Sequence, residues 1–271
     1  MWSRKELKDR AKAVLRSIYW SAFGVSIVIA LAGGSRGWSG GSGGGSHSRN
    51  ARNDFYSDIT NGFSNNSPTN FHSSFPNIFP IHYLFPFLLF GLIAVLGIVA
   101  LRIFLGYSLE VGGRRYFIKS AQYKNNKGCF SFGFNGYNYG GIVKTMLVTK
   151  ILIFLWTLLL IIPGIIKSYA YSMVPYILAD NPNIGVKRAI ALSNEMTRGH
   201  KFDMFVLDLS FIGWYLLGAL ALGIGILFVL PYQNATDTEL YLVLRRNALN
   251  NGFCTYEDLL LDQPESYDSM W

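Results

Sequence analysis

Ile151-Leu-Ile-Phe-Leu-Trp-Thr-Leu-Leu-Leu-Ile-Ile-Pro163-Gly164-Ile-Ile166 holds no charged side chain. It lies within an apolar block, residues 142–180, that is too long for one membrane crossing of about 20 residues. Proline removes a backbone donor and glycine loosens the backbone. Pro163 and Gly164 therefore read as the turn of a hairpin, one helix reaching residue 162 and a second running over 165–179. Lipid is the natural solvent for such a hairpin, because its backbone is satisfied internally and its side chains need no water.

Composition agrees. Of the 271 residues, 51% are hydrophobic and 15% charged, against about 25% charged in a soluble globular domain. Mean hydropathy is +0.26. Further apolar blocks cover 18–31, 81–109 and 205–230, the first opened by Tyr19 and Trp20 as an interfacial belt would be. The net charge of +8, from 24 Lys and Arg against 16 Asp and Glu, suits nucleic acid or a membrane surface. The basic residues sit between the apolar blocks, which favours the membrane and gives no nucleic-acid partner. Cys129 and Cys254 are too far apart to form a zinc pair, and His47, His72, His82 and His200 show no ligand spacing. No metal or cofactor is expected.

Lysine and arginine resist translocation, so short basic segments mark the cytoplasm. They cluster at 4–16, 114–127, 187–201 and 245–246. Each block between two clusters must cross an even number of times. The first does so through 33–78, a Gly/Ser/Asn-rich loop placed outside. The second turns at Pro163-Gly164, and the third near Gly223 and Gly225. The expected fold is all-α: a polytopic membrane helical bundle of about six transmembrane helices, with interfacial amphipathic helices and both termini cytoplasmic. Reading one or both breaks as kinks leaves about four spans.

Within 1–16, Leu7, Ala11, Val14 and Leu15 recur at helical spacing against Lys and Arg, as in an amphipathic helix on the inner leaflet that is retained rather than cleaved. The transmembrane domain is placed at 17–251. Its segments 110–140 and 181–202 are placed in the cytoplasm, the latter with an amphipathic helix stopped by Gly199. The acidic tail 252–271 is expected to be solvated. Trp156 to Val174-Pro175-Tyr176 and Trp214 to Leu230-Pro231-Tyr232 echo each other as helix, break and Pro-Tyr, which suggests a duplicated hairpin.

Arg102 falls inside an apolar block, toward its cytoplasmic end, where it either snorkels or pairs with an acid. Asp208 stands at the mouth of a span, as a functional intramembrane acid or as a cap for Arg102 or Lys144. Asp237 and Glu239 occur in a helix that spans or skims the bilayer. Asp237 shares a face with Tyr241 that lines a cavity or packs between helices. The candidate helix breaks are Pro163, Gly164, Pro175, Gly223, Gly225 and Pro231; broken helices offer carbonyls to a substrate or simply kink. The sequence has no GxSxG, no phosphate loop and no acid pair with a base. No catalytic residue is assigned, and an enzyme is not expected.

Tyr169-Ala-Tyr-Ser-Met-Val-Pro-Tyr-Ile-Leu-Ala-Asp-Asn-Pro182, Ala189-Ile-Ala-Leu-Ser193, Met196-Thr-Arg-Gly-His-Lys201 and Leu207-Asp-Leu-Ser-Phe-Ile-Gly-Trp214 resemble the DUF975 family of bacterial integral membrane proteins. Arg4-Lys-Glu-Leu-Lys8 and Val111-Gly-Gly-Arg-Arg-Tyr-Phe117 are similar too. The resemblance covers nearly the whole chain except 33–78. It implies a bacterial cell membrane location and carries over no catalytic residue, since the family has no established activity. The expected function is that of a non-enzymatic accessory or scaffold protein, in export, envelope maintenance or stress tolerance. The alternatives are a small transporter or channel using the broken helices, and a lipid-handling protein. The lipid bilayer is the expected partner, with another membrane protein or a second copy of the chain beside it.

Overall fold

A computed structural model of the chain describes residues 2–34, 81–220 and 225–262. Every regular element among them is a helix. The chain divides into two compact units, Met1–Gly37 with Leu96–Trp271, and Trp38–Val95. The exterior loop expected over 33–78 lies outside the described residues beyond Gly34, as do Gly223, Glu265 and Asp268.

Helix α1 (Arg4–Leu31) begins where the Ser3 hydroxyl accepts the Glu6 amide at 3.2 Å, satisfying a donor that the first turn leaves open. It continues without a break into the first apolar block. The amphipathic helix expected over 1–16 is thus the first half of one longer helix. Its apolar side chains Leu7 and Ala11 are covered by protein, where α1 packs on the last helix, α10 (Gly225–Asn250).

Helix α2 (Ile81–Leu101) passes through a π turn, Arg102–Gly106, into α3 (Tyr107–Ala121). Residues 110–121, expected in a cytoplasmic segment, are thus helical and largely buried. Gly112-Gly113 makes this possible. A Cβ on Gly113 would stand 2.5 Å from Cγ1 of Ile29, so α1 and α3 approach at a distance only glycine permits.

After α4 (Cys129–Phe134), α5 (Gly136–Leu159) ends at Leu160, whose φ of −157° and ψ of 139° are extended. The hairpin turn therefore precedes Pro163-Gly164, which fall within α6 (Ile161–Ala170). Proline is tolerated in a first helical turn because its missing N–H would have no partner there. A turn at 171–173 follows, and α7 (Val174–Asp180) carries Pro175 in its first turn, so the expected helix over 165–179 is broken as Pro175 suggested. Helix α8 (Val186–Met196) ends before a turn with Gly199 at φ +78°. Helix α9 (Lys201–Leu220) precedes α10, which begins at Gly225 and continues as helix through Pro231. Pro231 was expected to kink or loosen its helix; the helix continues on both sides of it, and the Tyr19 hydroxyl donates to the nearby Phe228 carbonyl at 3.3 Å. The sequence echo therefore ends in two different backbones, one broken ahead of Pro175 and one continuous at Pro231.

Among the described residues, four helical runs are long and apolar enough to cross a membrane: Arg4–Leu31, Leu88–Ala121, Gly136–Leu159 and Lys201–Leu220. The sequence reading expects about six. The difference lies in the return legs. Helix α6 stops after 10 residues, and α10 is long but polar. Asp180 at the end of α7 meets Arg245 of α10. Protein covers the polar run of α10, which therefore need not be apolar throughout, whereas the short α6 leaves Ile161, Ile162, Ile165 and Ile166 exposed. The four long runs present bare apolar side chains, among them Ile98 at 67%, Leu158 at 77% and Leu220 at 85% exposure. Continuous apolar surface of this kind is compatible with a membrane protein.

The tail was expected to be solvated, yet 252–262 packs against the bundle. Cys254 and Leu259 are buried, Asn181 Nδ2 donates to the Asp258 carbonyl at 3.0 Å, and Arg188 pairs with Asp258 at 2.7 Å. Two apolar anchors and one ion pair are enough to hold a short segment that composition alone marks as acidic.

Candidate functional site

Along α10, Gln233, Asn234, Thr236, Asp237, Thr238 and Glu239 are all buried. A polar stretch enclosed on every side must find partners, because an unmet donor or acceptor costs about 1–3 kcal/mol. Thr236 and Thr238 donate to carbonyls of their own helix, each at 2.8 Å. Gln233 accepts the Tyr215 hydroxyl of α9. Asn234 donates to Ser26 Oγ of α1 at 3.0 Å and accepts from Arg114 Nη1 of α3 at 2.7 Å.

Arg114 is the centre of this network. It is 2% exposed, donates to the Tyr176 hydroxyl at 2.9 Å, and donates to the Gly34 carbonyl. Tyr176 stacks on Tyr241 with centroids 5.2 Å apart. Tyr241 donates to Asp180 at 2.6 Å, and Arg245 donates to the same carboxylate oxygen at 2.8 Å. A continuous polar path thus runs from Ser26 to Asp180, joining α1, α3, α7 and α10.

The residues singled out from sequence scatter around this core. Arg102 donates to the Gly33 carbonyl at 3.4 Å, at the end of α1 away from its basic half. It was expected toward the cytoplasmic end of its block. Here it sits at the carbonyl end of a helix, where a cation is favoured. Asp208 accepts the Tyr169 hydroxyl at 2.8 Å, a partner other than the Arg102 or Lys144 expected for it. Asp237 is fully buried on the face it shares with Tyr241, and Glu239 lies at the wall of a cavity.

Sequence reasoning passed over Arg114, Asp180, Asn234 and Arg245. Arg114 and Arg245 read as members of basic clusters, and Asp180 as part of a helix stop. The usable signals were the Gly112-Gly113 pair beside Arg114 and the i, i+4 spacing of Tyr241 and Arg245.

The break between α6 and α7 is closed by α8. Ser193 Oγ donates to the Ala170 carbonyl at 2.8 Å and accepts the Met173 amide at 3.2 Å. The Thr197 hydroxyl reaches the same carbonyl at 3.4 Å. The backbone groups freed at 170–173 are thus met by side chains of the protein itself, and α8 is built into the bundle rather than laid on a surface.

A cavity of about 560 Å³ opens where α1, α10 and the segment after α3 meet. Its polar side holds Arg10, Lys124, Arg245 and Arg246 with Glu239 and Asp262; its apolar side includes Val14, Leu242 and Leu249.

Among the described residues no three of His, Cys, Asp and Glu gather as a metal set. Both cysteines are buried, and burial raises both thiols, Cys254 to about 11 with further help from Asp258.

No curated protein and no solved structure matches the chain. Residues 78–248 match the family model described as Protein of unknown function (DUF975), and the chain belongs to that family.

Proposed function

We propose that this chain is a non-enzymatic accessory or scaffold protein of the bacterial cell membrane, multi-pass, with both termini in the cytoplasm. The supporting observation is the closed break at 170–173. In a transporter built on discontinuous helices, the unwound carbonyls face a substrate or ion. In this chain Ser193 and Thr197 occupy the Ala170 carbonyl, and Arg114 is spent on Asn234 and Tyr176. Such a core favours a fixed shape. A body of fixed shape with apolar faces at 154–162 and 209–220 suits contact with lipid and with another membrane protein.

Sealed proteoliposomes test the reading. Wild type, Asp208→Asn and Asp237→Asn are expected to give no flux of ions, peptides or lipids above protein-free vesicles, while one partner co-purifies in fixed ratio. A protein-dependent flux that either substitution abolishes replaces the scaffold with a transporter; protein-dependent lipid movement replaces it with a lipid-handling protein.

A further inference from the structure

The cavity between α1, α10 and the segment after α3 shares Arg245 and Glu239 with the polar core, and its lining mixes charged with apolar side chains. Arg10, Lys124, Arg245 and Arg246 line it together with Glu239 and Asp262, so cations outnumber acids. Two of the cations are already committed. Arg245 is held by Asp180 at 2.8 Å, and Arg10 reaches Glu6 at 2.6 Å. Lys124 and Arg246 are different. Lys124 meets only the far end of Asp262 at 3.6 Å, and that carboxylate is 98% exposed. Arg246 is exposed and has no ion pair among the described residues. The rim therefore carries two cations whose charge is available to an incoming anion.

Val14, Leu242 and Leu249 add apolar lining beside them. Val14 lies one helical turn before Ile18, where the apolar half of α1 begins, and the exposed Trp20 follows. With α1 crossing the bilayer, Arg10 and Val14 stand within about two turns of the start of its apolar half, so the cavity lies near the lipid phosphates.

We infer that this cavity binds the headgroup of an anionic phospholipid from the leaflet at the basic end of the bundle. The inference rests on the membrane reading of α1 and is independent of whether the protein is a scaffold or a transporter. A soluble phosphate would use the same cations but would leave the apolar lining empty; a lipid fills both.

The test is binding of fluorescent phosphatidylglycerol to the detergent-purified full chain, compared with phosphatidylcholine and with inorganic phosphate as competitor at matched ionic strength. Phosphatidylglycerol is expected to bind roughly tenfold or more tightly than phosphatidylcholine, and K124Q/R246Q to remove most of that preference. The remote basic pair is the control: K187Q/R198Q is expected to leave it unchanged. Both changed residues of the test variant are exposed, so its melting temperature should match wild type and a loss of binding is not a loss of fold. The inference is overturned by equal binding of the two lipids, by an unaltered preference in K124Q/R246Q, by an equal loss in K187Q/R198Q, or by full displacement with inorganic phosphate. Binding is read without a gradient, so a positive flux result would displace the scaffold reading and leave this one standing.

Discussion

Arg245 on α10 donates to Asp180 at the end of α7 across 2.8 Å, with their side chains only 10% and 8% exposed. Tyr241, one turn earlier on α10, donates to the same oxygen. This one carboxylate fixes where the second hairpin returns against the last helix. Breaking a buried pair from one side leaves a charge with no partner, at about 3–5 kcal/mol. Asp180→Asn should therefore lower the melting temperature in detergent sharply. Asp180→Leu, Arg245→Met and Tyr241→Phe together should restore most of it, because no buried polar group is then stranded. A triple variant no more stable than Asp180→Asn would refute this account of the pair.

Arg114 bridges α1, α7 and α10 through Gly34, Tyr176 and Asn234. Arg114→Met should cost about 3 kcal/mol or more, since several buried groups lose their partner at once. Arg114→Lys should recover less than half of the loss, because a single ammonium cannot reproduce the planar fork. Thermal unfolding of the three proteins in one detergent decides it; a lysine variant as stable as wild type would contradict the geometry.

The two cysteines should resist alkylation in the folded protein. Both are buried, and Cys254 titrates at about 11, so about one thiol in a thousand is ionised at pH 8. Maleimide labelling at that pH should be slow for both and complete after unfolding in SDS. Tyr137→Cys, at an exposed position, should label at once. Rapid labelling of Cys254 in the folded state would mean that the segment 252–262 is not docked.

Much of the fold was legible in the sequence for one reason: hydrophobic length and positive charge are read along the chain. The apolar blocks, the break before Pro175 and the continuous helicity of the basic N-terminus into the first block all follow from local composition. What was not legible depends on who covers a helix. Pro231 sits inside α10 because the bundle encloses that helix, and the polar run from Gln233 to Glu239 is tolerable there for the same reason. Arg114, Asp180 and Arg245 are separated by 61 residues or more from their partners across the core, and no local pattern announces such a meeting. Asp208 and Arg102 were visible as charges in apolar sequence, but their partners, a tyrosine hydroxyl and a backbone carbonyl, carry no charge signature.

Arg188 holds the Asp258 carboxyl below its ordinary value of 3.8, chiefly by a direct hydrogen bond. A carboxylate depressed in the folded state contributes stability that is complete above that value and lost as pH falls through the lower, folded one. The pair is partly exposed, so it is worth about 0.2–1 kcal/mol. Protease cleavage within 252–262 should be constant from pH 8 down to 5 and rise in Arg188→Gln at all of these pH values. Cleavage that rises between pH 8 and 5 in the wild type would assign the docking to another group.

The whole account depends on lipid covering the exposed faces of the long apolar helices while the basic ends stay on one side. A reporter of compartment inserted at residue 50, and separately at each terminus, measures this directly. The account predicts residue 50 outside, both termini inside, and a protein that leaves the membrane only in detergent. Residue 50 reporting the same compartment as either terminus, or recovery of the protein in soluble form without detergent, would contradict it.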